Sequence, residues 1–324
     1  MIKFFFAPSA PFVRGAVKEK KMGTRFLELL KTLIKIAIMG LIMAGIILIN
    51  RKYPIEGNVN SGTFSIPMNI SMYTLIVIII TSAVQSVFGV GVLLFGTPLL
   101  LLQYEKLTLV LPIVLPISIA INIFQVVKHY KYIDTDFYKK ILFITIPFVI
   151  VFLVLVLSLE AKFKNLGIGI FVGLFMLFVA LKSYSRRIEQ ILKAFVKYEK
   201  TYFIVMGIIH GLTNLGGSLL TAIAHEKNYP KDTTRVTVGV SYGTFALFQM
   251  LTLLLAVIGI ISIPGFAAEN MNISFSNVIY LVVGVVIFLI TEKFLYTNID
   301  NEKYNKIFGI FLFLSGILLI VKSL

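Results

Sequence analysis

Apolar residues run along this chain in blocks at about 33–49, 73–102, 107–127, 141–157, 166–181, 202–224, 236–261, 277–291 and 307–321. Charged and polar residues gather in the stretches between them. A membrane-crossing helix needs about 20 apolar residues, with roughly 17–25 usual. Most blocks therefore predict transmembrane helices, with 141–157, 166–181 and 307–321 near or below the short limit. Two blocks break the pattern. Block 73–102 is too long for one straight span and is interrupted at Gly89 and Gly91, and block 202–224 is interrupted from Asn214 to Ser218. In lipid the backbone cannot leave hydrogen bonds unmade, so an irregular stretch at membrane depth implies burial in protein or a polar cavity.

The interruptions correspond. A shift of 125 residues carries Gln85 onto His210, Phe88 onto Thr213 and Gly91 onto Gly216. A glycine-interrupted apolar segment at matched positions of two halves is the sequence pointer to a transporter's binding site. Each broken block either crosses the membrane or enters and returns as a re-entrant hairpin, and charge discriminates between the two. With the N-terminus inside and both blocks crossing, the loops carrying Lys128 to Lys140 and Lys182 to Lys200 fall outside, against the positive-inside rule. With two hairpins, 23 of the 30 basic residues fall inside and 6 outside, and the loop 262–276, which has none, faces out. The expected fold is thus an all-α polytopic membrane protein of two inverted repeats. Each repeat is a broken re-entrant hairpin followed by three transmembrane helices, and one extra helix precedes them. The expected divisions are a basic cytoplasmic segment 1–32, the extra helix and external loop 33–72, the first repeat 73–181, a cytoplasmic linker 182–201 and the second repeat 202–324.

Composition agrees with this reading. Of 324 residues, 58% are hydrophobic and only 14% charged, more apolar than a soluble core requires. There is no cysteine, so disulfides, thiol nucleophiles and thiolate metal sites are excluded. There is no tryptophan either, which leaves 14 Tyr and 28 Phe to supply interfacial aromatics. The net charge of +15 lies in loops and reads as inside-facing charge and contact with anionic lipid headgroups, not as nucleic-acid binding. Phe4 to Phe6 is too short for a signal-peptide core, and the basic run Arg14 to Arg25 follows it instead of preceding it. Residues 1–32 are expected to be a retained, basic cytoplasmic segment, of a kind that can lie along the membrane surface.

The candidate chemistry sits at the breaks. A short helix is expected to start past each one, near Val92 and near Ser218. Helix N-termini carry unpaired N–H groups and partial positive charge, and glycine lets a ligand approach the backbone. Two such ends meeting at mid-membrane make an anion site without a buried lysine or arginine. The same glycines also suit close helix packing. Side chains at hand are Gln85, Ser86 and Phe88 beside Gly89 and Gly91, and His210, Thr213, Asn214 and Ser218 beside Gly216 and Gly217. Asn122 and Gln125 share one helical face, and Ser241, Tyr242, Thr244 and Gln249 lie in block 236–261. These either line a pathway or bond between helices. His210 is the one histidine expected deep in the membrane, with His129 and His225 in loops. It is either a titrating group that couples transport to protons or a neutral donor. Glu160, Glu226, Glu269 and Glu292 fall at ends or in loops, which weakens a carboxylate relay, though carbonyls at the breaks remain open to sodium. There is no His-Glu-x-x-His, catalytic cysteine or intramembrane carboxylate pair to support an enzyme, and no cofactor is expected.

At these residues the chain resembles the TauE/SafE family of sulfite and organosulfonate transporters. The resemblance rests on Gln85 to Gly91 followed by Thr97-Pro98-Leu99-Leu100, on Lys131-Tyr132-Ile133-Asp134 after the next span, on Gly211 to Gly217 at the second break, and on Lys231-Asp232-Thr233-Thr234-Arg235 before the following span. It covers about residues 73–321. Val92 stands where a third glycine is often seen, and no proline in the second break matches Pro98. The resemblance implies a carrier, most simply an exporter, of small sulfur-containing anions; the expected location is the inner membrane and the expected coupling ion, from His210 or the break carbonyls, a proton or sodium. A channel of the same fold, or a carrier of another small anion such as a carboxylate, is the alternative.

Overall fold

The computed structural model describes residues 70–162, 168–182, 196–227, 229–264 and 274–295, with isolated positions elsewhere. All of them lie in the unit Thr63–Leu324. The expected N-terminal segment 1–32, the helix 33–49, most of the linker 182–201 and most of the last span 307–321 lie outside the described residues.

The described chain is helical, with no strand among the described residues. Helix α1, Met72–Phe88, starts where Ser71 Oγ accepts from the Thr74 N–H (3.3 Å). Helix α2, Val92–Tyr104, opens as a π turn over Val92–Gly96. Pro98, which has no N–H to donate, follows directly on this π turn at the start of the α-helical part. Helix α3, Leu107–His129, carries Pro112 and Pro116 in its interior. Helix α4, Thr135–Lys162, is capped by Asp134, whose Oδ1 accepts from the N–H groups of Asp136 (3.0 Å) and Phe137 (2.9 Å). It holds a second π turn at Ile141–Thr145. Then follow α5 Ile168–Lys182, α6 Glu199–Thr213, α7 Gly217–Glu226, α8 Lys231–Val257 and α9 Phe275–Leu295. Helices α3, α4, α8 and α9 are long and apolar enough to cross a membrane. Helices α3 and α7 run past their apolar blocks far enough to include His129 and His225, which correspond to no loop.

Helix α3 is buried along most of its length and lies against α8. Helix α9 packs on α1 and α3, and α6 packs on α4. Two glycine pairs spaced four apart set the close approaches, as small residues do between helices in lipid. A Cβ on Gly207 or Gly211 of α6 would stand 2.6 or 2.7 Å from the carbonyls of Thr145 and Val149 in α4. On α8, Gly239 and Gly243 admit the side chains of Gln125 and Asn122 in the same way. On the outside of the bundle, Phe143, Val151, Phe171, Val282 and Ile290 are exposed apolar side chains, the surface that hydrocarbon solvates.

Within each broken pair the second helix comes back along the first. Tyr73 Oη donates to the Leu99 carbonyl (2.8 Å), and the hydroxyls of Thr74 and Tyr104 are 2.9 Å apart. In the other pair, Tyr202 Oη donates to the Leu219 carbonyl (2.8 Å), and Glu199 meets Lys227, just past the end of α7, at 3.0 Å.

Candidate functional site

The first break is a folded-back chain, not a gap. Helix α1 ends with Gly89 in the left-handed region (φ 76°), its N–H on the Gln85 carbonyl at 2.9 Å. Gln85 is fully buried, and its Oε1 accepts from the Val92 N–H (2.8 Å), capping α2 across the break. Its Nε2 has no hydrogen-bond partner among the described residues. A Cβ on Gly91 would lie 2.6 Å from Gln85 N, so the glycine here serves close contact of chain with chain. Ser86 Oγ donates to the Ala83 carbonyl (2.7 Å). The side chain of Phe88 lies outside the described residues.

The second break repeats this design with different side chains. Helix α6 ends with Asn214 in the left-handed region (φ 63°), which asparagine tolerates. Its N–H bonds the His210 carbonyl (2.8 Å). Gly216 packs on His210 as Gly91 packs on Gln85, a Cβ there standing 2.5 Å from His210 Cβ. Thr213 Oγ1 donates to the Ile209 carbonyl (2.7 Å) and accepts from the Leu215 N–H (3.2 Å). Ser218 Oγ donates to the Leu215 carbonyl (2.9 Å). Gly217 faces the Tyr242 ring, whose atoms would lie 2.7–2.9 Å from a Cβ. His210 is fully buried, its ring centroid 4.5 Å from that of Phe245 and 5.6 Å from that of Tyr242. Gln249 adjoins the imidazole without closing a hydrogen bond of normal length.

One contact joins the two breaks. Asn214 Nδ2 donates to Thr97 Oγ1 at 2.8 Å, tying the tip of the second pair to α2 just past the first. At the two breaks and on α8, buried polar atoms of Gln85, His210, Asn214 and Gln249 have no hydrogen-bond partner among the described residues. Uncompensated buried polar atoms are costly in a folded protein. Among the described residues no three His, Asp or Glu side chains group as a metal site. The arrangement offers donors and short polar side chains in an apolar surround, which suits a small hydrogen-bonding anion.

Asn122 and Gln125 fall on the α3–α8 seam. Asn122 Nδ2 donates back to the Ser118 carbonyl (2.8 Å), and Gln125 Nε2 donates to the Arg235 carbonyl (2.9 Å). These bonds join or brace helices. The amide Oε1 of Gln125 and Oδ1 of Asn122 have no partner among the described residues.

A buried cation lies beside the first break. Arg235 is 4% exposed and donates through Nη2 to the Ser86 carbonyl (2.6 Å) and to Glu292 Oε1 (2.8 Å). Helix α8 begins at Lys231, so Arg235 sits in its second turn and faces the first break instead of closing a loop. Glu292 and Glu160 do lie near helix ends, but both are buried. Thr97, Arg235 and Glu292 were absent from the residues assigned to the site by sequence. The charged run Lys231 to Arg235 held the signal for Arg235, and Thr97 read as part of Thr97-Pro98-Leu99-Leu100.

A family model described as Sulfite exporter TauE/SafE matches residues 74–319, well over half of the chain. No curated protein and no solved structure matches it.

Proposed function

Because the chain belongs to the TauE/SafE sulfite exporter family, we propose that it is a membrane carrier of small sulfur-containing anions, sulfite or organosulfonates, with its site between the two breaks. The observation that carries this reading is the Asn214–Thr97 bond, which brings the second tip against the first half, with buried polar atoms lacking partners in both breaks. Gln85, Asn214, His210 and Tyr242 are the side chains assigned to the anion. The backbones of Gly89, Gly91, Gly216 and Gly217 shape the tips.

In this reading the broken pairs are re-entrant hairpins and the halves 73–181 and 202–324 are inverted repeats. The return of α2 to Thr74 and of α7 to Glu199 supports the hairpins. The packing supports the repeat: exchanging the halves turns the contact of α1 with α9 into that of α6 with α4. The carrier sits in the inner membrane with its N-terminus inside, runs as an exporter and couples to protons or sodium.

Purified protein in proteoliposomes tests the proposal. Labelled sulfite or sulfoacetate should enter with saturation and exchange against unlabelled anion on the other side. Movement of a carboxylate such as malonate, with none of the sulfur anions moving, would reject the substrate assignment. Conductance without saturation or exchange would reject a carrier.

A further inference from the structure

Three helices meet at one buried guanidinium, and a fourth reaches the same residue's backbone carbonyl. Arg235 on α8 reaches the last turn of α1 at Ser86 O (2.6 Å) and the last turns of α9 at Glu292 (2.8 Å). Gln125 on α3 donates to the Arg235 carbonyl (2.9 Å), and Gly89 packs against that same carbonyl, 2.9 Å from a Cβ placed there. The Glu292 carboxylate is shared. Its Oε1 takes Arg235 and its Oε2 takes Lys128 (3.1 Å). Arg235 and Glu292 are 4% and 8% exposed, whereas Lys128 is 59% exposed. The carboxylate thus has a buried partner at the break and a solvated one at the end of α3. Asp232 and His129 also act electrostatically in this group, alongside Arg235, Lys128 and Glu292.

A guanidinium matches an oxyanion best, because its planar fork presents parallel N–H donors at carboxylate, sulfonate or phosphate spacing. Burial strengthens that attraction and makes an uncompensated charge expensive. Resting on the carrier reading above, we infer that Arg235 is the cationic contact for the transported oxyanion and that Glu292 holds its place between substrates. On binding, the substrate's oxygens take the Nη2 donor from Glu292. The released carboxylate stays with Lys128, so neither charge is left alone in the protein interior. On release, Glu292 returns. No bond is made or broken in this exchange, and each step trades one anion for another on the same cation. A purely structural ion pair holding α1, α8 and α9 together is the competing account.

The two accounts diverge in binding. The full-length protein in nanodiscs is titrated with sulfite, sulfoacetate and, as the carboxylate probe, malonate, with melting followed in parallel. Glu292→Gln removes the internal competitor and keeps an amide of the same shape. It should bind sulfite more tightly than wild type, by about three- to tenfold, and turn over more slowly. Its melting temperature should start lower and gain more from saturating sulfite than that of wild type. Arg235→Lys keeps a charge and loses the fork, so affinity should fall by about tenfold or more in protein that stays monodisperse. The exchanged pair Arg235→Glu with Glu292→Arg should recover the folding lost in Arg235→Glu alone without recovering transport. Unchanged or weaker sulfite affinity in Glu292→Gln, or restored flux in the exchanged pair, would overturn the assignment of Arg235 and leave the carrier reading standing. Failure of wild type to bind any of the three probes would overturn both.

Discussion

Glu160 illustrates how a single side chain does the work of a helix cap from another helix. Its carboxylate accepts from the N–H groups of Leu107 (2.6 Å) and Thr108 (3.1 Å), which open α3 and have no partner within that helix. Glu160→Ala leaves two buried donors without an acceptor. It should cost about 1–3 kcal/mol, read as a lower unfolding midpoint in detergent, with Glu160→Gln closer to wild type. Asp134 is a cap of a different kind, in the loop before α4. Burial pushes its carboxyl up, but the Phe137 N–H, the Tyr229 hydroxyl, the Asp136 N–H and Lys227 outweigh this and hold it below the usual range. A carboxyl lowered on folding stabilises the fold above its unfolded value, and that contribution disappears as pH falls through the folded one. Asp134→Asn should therefore melt below wild type near neutral pH, and the gap should close below about pH 4. Residues at the breaks were legible in the sequence because glycine and amides stand out in an apolar run. Arg235 was not, because a charged run looks the same whether it ends a loop or begins a helix. Only the start of α8 at Lys231 decides that.

At the scale of elements, the apolar blocks located the helices and misjudged their ends. Block 141–157 became a helix from Thr135 to Lys162, extended at its start by the Asp134-capped turn Thr135–Lys140, and the block itself opens with a π turn that periodicity cannot register in a uniformly apolar stretch. Block 73–102 became Met72–Phe88 and Val92–Tyr104, with the break where the glycines put it. The glycine pair on α6 belongs to this scale, since it fixes how closely α6 lies on α4. Gly211→Ala places a methyl 2.7 Å from the Val149 carbonyl and 2.8 Å from Phe152 Cβ. Backbone cannot yield as a flexible side chain can, so the helices must part, at a cost of roughly 1–3 kcal/mol. Thermal unfolding in detergent measures it, and Gly96→Ala serves as the comparison for crowding because a Cβ there meets nothing closer than Val114 Cγ1 at 3.5 Å.

The whole molecule is where charge along the sequence carries most weight, because the positive-inside rule acts on loops and not on helices. The chain has no cysteine, so single introduced cysteines report topology directly. Lys131→Cys and Ser185→Cys should react with an impermeant maleimide only in opened cells, and Ser262→Cys in intact ones. Labelling at Ser185 from outside would remove the basis for the two hairpins. What charge could not reveal is that the halves are unequal. The ionic contact of Arg235 with Glu292 belongs to one half alone, and 125 residues before Arg235 stands Val110, buried and apolar. In a carrier whose repeats mirror one another, facing one side or the other amounts to the halves trading conformations. In the proposed carrier this trade would break a buried ion pair in one direction and none in the other. The empty protein is then expected to rest facing one compartment, and the concentrations giving half-maximal exchange, measured from its two faces, should be unequal.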